Sequence, residues 1–157
     1  MHILRVLVGK NNDSRLISLM EDYTKRIKKY HRLDIEIIPE SKKKEKTSKN
    51  IRKQKEGNLI IEKFKGGDWI ILLDEKGKSF DSIGFSEYIN IKRSGSHKRL
   101  VFVFGGPYGF SEEVYDRCDE KITLSRMTFS HQIIRLFFLE QLYRANTILN
   151  NEPYHHQ

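Results

Sequence analysis

The sequence predicts an α/β fold, a mostly parallel sheet with helices on both faces. Two observations carry that expectation. Short, continuous apolar runs recur along the chain, as strands buried on both faces require. Longer stretches with helical spacing separate them, so the order reads β-α-β-α-β-α-β-α-β-α. No internal repeat or composition break divides the chain, and residues 1–157 are expected to form one domain.

His2 to Val8 supplies the first strand, with Ile3, Leu4, Val6, Leu7 and Val8. Gly9-Lys10 ends it without the second glycine and GK[ST] ending of a phosphate-binding loop. Asp13 or Ser14 caps a helix whose core positions Leu16, Met20, Tyr23, Ile27 and Tyr30 follow four-three spacing. Leu33 to Ile38 is the second strand, stopped by Pro39. The basic, polar stretch Glu40 to Lys49 is expected as the mobile loop of the fold. A helix over roughly 50–64 follows and carries Ile51, Leu59, Ile60 and Phe64. Gly66-Gly67 breaks the chain, and Trp69 to Leu73 is the third strand, with Asp74 to Lys78 a turn beyond its end. Ser82 caps a helix through Phe85, Tyr88 and Ile89. Leu100 to Phe104 is the fourth strand, and Gly105-Gly106-Pro107-Tyr108-Gly109 follows at once. Ser111-Glu112-Glu113 opens a short helix with carboxylates at its positive end, and Lys121 to Leu124 is a brief last strand.

The rest of the chain is organised around Leu124 to Asn150. After a short polar loop, Ile133, Ile134, Leu136, Phe137, Phe138, Leu139, Leu142, Tyr143, Ile148 and Leu149 point almost all the way round a long helix. A surface helix would show one apolar stripe. Only Arg135, Glu140, Gln141, Arg144 and Asn146 relieve this one, yet its apolar residues are too few in a row to span a membrane. It therefore needs cover on two sides. The sheet supplies one, and a second copy of the chain, burying Phe137, Phe138 and their neighbours, is expected to supply the other.

Charge points to a polyanion. Lys and Arg number 29 against 21 Asp and Glu, a net charge of +8, and nucleic acid is the first partner to consider. A merely soluble basic protein is the bland alternative. Lys25, Arg26, Lys28, Lys29 and Arg32 read as a solvated helix end. Lys42, Lys43, Lys44, Lys46, Lys49, Arg52, Lys53 and Lys55 are harder to dismiss, with only Glu45 among them. One cysteine, Cys118, excludes an internal disulfide and fits a reducing cytoplasm, and MHILRVLVGK lacks the pattern of a secretory leader. Neither a membrane nor DNA is expected as a partner.

In such a fold, ligands bind beyond the carboxyl ends of the strands. Three segments qualify: Leu73-Asp74-Glu75, Gly105 to Gly109, and Leu124 to Phe129. No metal is expected, since no His/Cys/Asp/Glu set has ligand spacing. No Ser-His-Asp or Cys-His arrangement stands out, and the glycines lack the dinucleotide spacing. Positioning of a reactive cofactor is the catalysis that remains.

FVFGGPYGF, LSRMTFSHQIIRLFFLEQLYRA and the closing EPYHHQ resemble the large-subunit ribosomal RNA pseudouridine N3-methyltransferases, of the SPOUT, or α/β-knot, class. The MHILRVLVGK opening and LLDEKGKSF extend the resemblance over the whole chain. It implies a deep trefoil knot in the C-terminal part, a homodimer, a cytoplasmic enzyme and methylation of N3 of a pseudouridine in 23S ribosomal RNA on the assembled ribosome. It also implies S-adenosyl-L-methionine bound at Leu73, Gly105, Leu124, Ser125, Arg126, Met127, Thr128 and Phe129. At the tail, His155 is assigned as proton acceptor or base-positioning group, Tyr154 as a stacking or orienting residue, and Arg144 as an anchor for RNA phosphate or tail. Two departures stand out. Ser130 replaces the proline common before the histidine and caps the helix instead, and His156-Gln157 replaces the usual terminal cation. A non-catalytic RNA-binding or ribosome-associated factor and a knot methyltransferase acting on transfer RNA remain the competing readings.

Overall fold

A computed structural model describes residues 1–41 and 48–156. Its parallel sheet comprises β1 (His2–Val8), β2 (Arg32–Ile38), β3 (Asp68–Ser79), β4 (Arg99–Phe104) and β5 (Glu120–Thr123), in the order β2-β1-β4-β3-β5. Period-two alternation sends Ile3 and Leu7 of β1 to one layer, with Met20, Ile27, Phe85, Ile89, Phe102 and Leu142. Leu4, Val6 and Val8 go to the other, with Ile60, Val101, Val103 and Val114. Helices α1 (Ser14–Ile27), α3 (Ser82–Arg93) and α5 (His131–Leu149) cover the first face, and α2 (Lys49–Ile61) and α4 (Glu112–Arg117) the second. The expected α/β class is therefore observed. Among the described residues, no helix is long and apolar enough to cross a membrane.

Several local expectations are corrected. Asp74 to Lys78 is not a turn: β3 continues to Ser79, with a register shift in which both Leu73 and Lys78 pair with Ile122. Gly77 allows this, because a Cβ there would collide with the backbone of Ile122. Asp81, not Ser82, caps α3 through Gly84 N–H at 2.7 Å, while Ser82 Oγ donates to Gln141 at 2.9 Å. Asp13 caps α1, and Tyr30 lies beyond the helix end. The expected loop at 40–49, with Lys42, Lys43, Lys44 and Lys46, falls largely outside the described residues.

The long helix brings the main surprise. Arg135 and Asn146, read from sequence as polar relief, are 0% and 1% exposed. Arg135 reaches from α5 to the end of β1, donating to Val8 O at 2.5 Å, Gly9 O at 2.9 Å and Asn11 Oδ1 at 3.0 Å. Burial pulls its pKa down to about 10, so it stays charged at neutral pH. Phe138 is also fully buried, with its ring centroid 4.7 Å from Phe102 and 5.2 Å from Phe104. It is core rather than an intersubunit contact. Met127, Phe129, Ile133 and Phe137 are the large apolar side chains that this segment leaves exposed.

Candidate active site

The carboxyl ends of β4 and β5 and the register shift in the middle of β3 open into a cleft of about 470 Å³. Leu73, Gly105, Leu124, Ser125, Met127, Thr128 and Phe129 line it, so the three strand-end segments named from sequence converge on one place. Arg126 belongs to the same loop, but its exposed side chain is not part of the lining. Phe104, Ile122 and Ile134 give the cleft an apolar floor, and Asp74, Glu75, Ser125 and His131 a polar rim.

Local chemistry shapes both loops. After β4, Gly109 N–H donates to Gly106 O at 3.1 Å, closing a turn with Pro107 in its second position. Gly109 sits at φ +76°, where a side chain would be strained. A Cβ on Gly105 would press within 3.1 Å of the Phe110 ring. After β5, Thr123 Oγ1 donates to Ser125 O at 2.6 Å, and Met127 N–H donates to Ser125 Oγ at 2.9 Å. The loop is thus held by its own hydroxyls. Ser130 then caps α5, accepting from Ile133 N–H at 3.3 Å. The departure from proline therefore carries the capping role its residue type suggested.

Two further contacts buttress the cleft. Tyr115 of α4 donates to Asp74 Oδ2 at 2.5 Å, and burial pushes the Tyr115 hydroxyl far up, keeping it a donor. The other Asp74 oxygen accepts from Lys76 N–H at 2.8 Å. On the second wall, Arg52 Nη1 donates to Tyr108 Oη at 3.3 Å, tying α2 to the glycine turn. Sequence reasoning named Asp74 only as part of a segment and missed Tyr115, since a tyrosine on a short helix carries no spacing signal.

The tail lies elsewhere. Tyr154, His155 and Arg144 are brought together, but they do not line the cleft. Asn151 at φ 54° turns the chain back after α5. Tyr154 then packs edge-on against Tyr143 at 4.8 Å, with its hydroxyl 3.1 Å from both Tyr23 Oη and Glu140 Oε1. Arg144 donates to Glu140 Oε1 at 2.5 and 3.1 Å and to His155 Nδ1 at 3.3 Å. Glu140, which sequence reading treated only as polar relief, is the hub of the cluster. Its i,i+4 spacing to Arg144 was the available signal. Glu140 also lines a second hollow with Phe80, Ser82, Phe129 and Phe137, which shares Thr123, Leu124 and Ser125 with the cleft. Among the described residues, no group of three or more His, Cys, Asp or Glu could hold a metal ion.

Comparison with known proteins agrees with this geometry. Residues 1–155 match a family model described as "Predicted SPOUT methyltransferase". The chain is 53% identical over its full length to a protein of Flavobacterium johnsoniae named "Ribosomal RNA large subunit methyltransferase H", which it covers completely. Proteins of the same name from Christiangramia forsetii and Parabacteroides distasonis are 54% and 50% identical, again with complete coverage of both chains. A family model matched over residues 1–155 and relatives matched end to end lead to one statement: the chain belongs to the SPOUT methyltransferase family.

Proposed function

We propose that this protein transfers a methyl group from S-adenosyl-L-methionine to N3 of a pseudouridine in 23S ribosomal RNA of the assembled ribosome. The observation that carries the reading is full-length similarity to proteins named for methylation of large-subunit ribosomal RNA, joined to the cleft described above. The lining fits the donor chemically. An apolar floor of Phe104, Ile122 and Ile134 suits a flat purine, and Asp74 and Glu75 suit a cationic sulfur and ammonium. Leu73, Gly105 and residues Leu124, Ser125, Arg126, Met127, Thr128 and Phe129 would hold it.

Bound donor supplies an electrophilic methyl on a positive sulfur. The chain's task is then placement of the RNA base and stabilisation of the charge left when N3 loses its proton. Exposed Lys10, Lys49, Lys76 and Arg126 are cations of the segments at this edge and support an RNA backbone passing over it. Tyr154, His155 and Arg144 are the groups we assign to the base, with Arg144 anchoring the tail.

Because the tail packs on α1 and α5 of its own subunit, away from the cleft lining, we assign it to the cleft of a second copy. Exposed Phe129, Ile133 and Phe137 support such a homodimer. Family membership supports the knotted threading of residues 124–150. Methyl-labelled donor incubated with ribosomes lacking the modification is the direct test. One methyl on a pseudouridine of the large-subunit RNA is expected. Labelling of transfer RNA instead would favour the transfer-RNA reading, and failure to bind donor would favour a non-catalytic factor.

A further inference from the structure

The tail contacts bear on where His155 carries its proton. Arg144 Nη1 lies 3.3 Å from His155 Nδ1. A guanidinium offers only donors, so in this contact Nδ1 is the accepting nitrogen, which leaves the ring proton on Nε2. Arg144 is itself held in place. Its Nη2 and Nε donate to Glu140 Oε1, and its guanidinium carbon stands 4.7 Å from the Tyr154 ring centroid. Hydrogen bonding and charge from Glu140 keep the guanidinium above its ordinary range, a permanent donor. A doubly protonated ring would set an N–H against that donor and lose the contact.

Resting on the ribosomal RNA methyltransferase reading above, we infer that His155 serves the reaction as a hydrogen-bond donor. Its Nε2–H is aimed at a carbonyl oxygen flanking N3 of the RNA base, and it does not remove the N3 proton. Arg144 and Glu140 are positioning residues that select this tautomer, and Tyr154 shares the Glu140 oxygen that holds Arg144. The chemistry balances without a protein base. The imide proton passes to solvent water, leaving a negative charge shared between N3 and its two flanking carbonyl oxygens. Nε2–H donation stabilises the share on oxygen, as in an oxyanion hole. The N3 pair then forms the bond to the methyl carbon while the carbon–sulfur bond breaks, its electrons remaining on a neutral thioether.

Side-chain geometry offers the test. Glutamine places an amide N–H close to where Nε2 stands, whereas asparagine places one near Nδ1. On ribosomes lacking the modification, His155→Gln should keep kcat within about tenfold of the unmodified protein, and His155→Asn and His155→Ala should lose about a hundredfold. Nitrogen NMR of histidine-labelled protein, with the signal assigned by its loss in His155→Gln, should show bare Nδ1 and protonated Nε2. Arg144→Met should relax that preference. A glutamine variant as inactive as alanine, or a ring protonated at Nδ1, would overturn the inference. An unmodified protein that transfers no methyl to ribosomal RNA would instead overturn the functional reading, with NMR still reporting the tautomer.

Discussion

Arg135 shows how one side chain ties distant parts of the chain. It joins α5 to the end of β1 across more than a hundred residues, through three acceptors, two of them backbone carbonyls. Replacing it by methionine keeps most of the volume but strands Val8 O and Gly9 O in the interior. A loss of about 3 kcal/mol is expected in urea unfolding. An unchanged midpoint would show that water satisfies those carbonyls. His31, 5% exposed, gives a second test at this scale. Burial pulls its pKa from 6.5 down to about 4. Between those values the unfolded chain binds a proton that the folded chain refuses, so stability is complete above pH 6.5 and falls as pH drops through the window. Unfolding midpoints of His31→Leu should lack that part of the acid sensitivity. Neither residue announces this role in the sequence, where an arginine on an otherwise apolar helix reads as a solvated charge.

Elements were more legible than their edges. Strands β1, β3 and β4 appear in the sequence as continuous apolar runs because both sheet faces are covered, and the three segments that line the cleft were named from where those runs stop. The second half of β3 was hidden. Asp74-Glu75-Lys76-Gly77-Lys78 has turn composition, and only its pairing with β5 through the register shift makes it a strand. Gly77→Ala should therefore open the β3–β5 seam, lowering the unfolding midpoint and weakening donor binding in calorimetry. Donor affinity equal to the parent's would separate the bulge from the cleft. The tail residues were named from the sequence, but their geometry was not. Their cluster with Tyr23, Glu140 and Tyr143 depends on the turn at Asn151, which no local pattern specifies.

At the scale of the whole molecule, cleft and tail occupy different parts of one subunit, and the exposed Phe137 face of α5 is the expected seam between two copies. Phe137→Glu should convert the proposed dimer to monomers in sedimentation and abolish methyl transfer while donor still binds. A fully active monomer would remove the second copy from the account. Net charge of +8 predicts ribosomal RNA binding that weakens steeply with salt. Replacing Lys42, Lys43, Lys44 and Lys46 together by serine should lower RNA affinity and leave donor affinity unchanged, an expectation resting on sequence alone. The most direct test of the central claim is mass mapping of ribosomal RNA from cells that lack the gene. The account predicts that one pseudouridine of the large-subunit RNA loses a methyl mass and regains it when the gene is restored. A methylation map identical with and without the gene would contradict it.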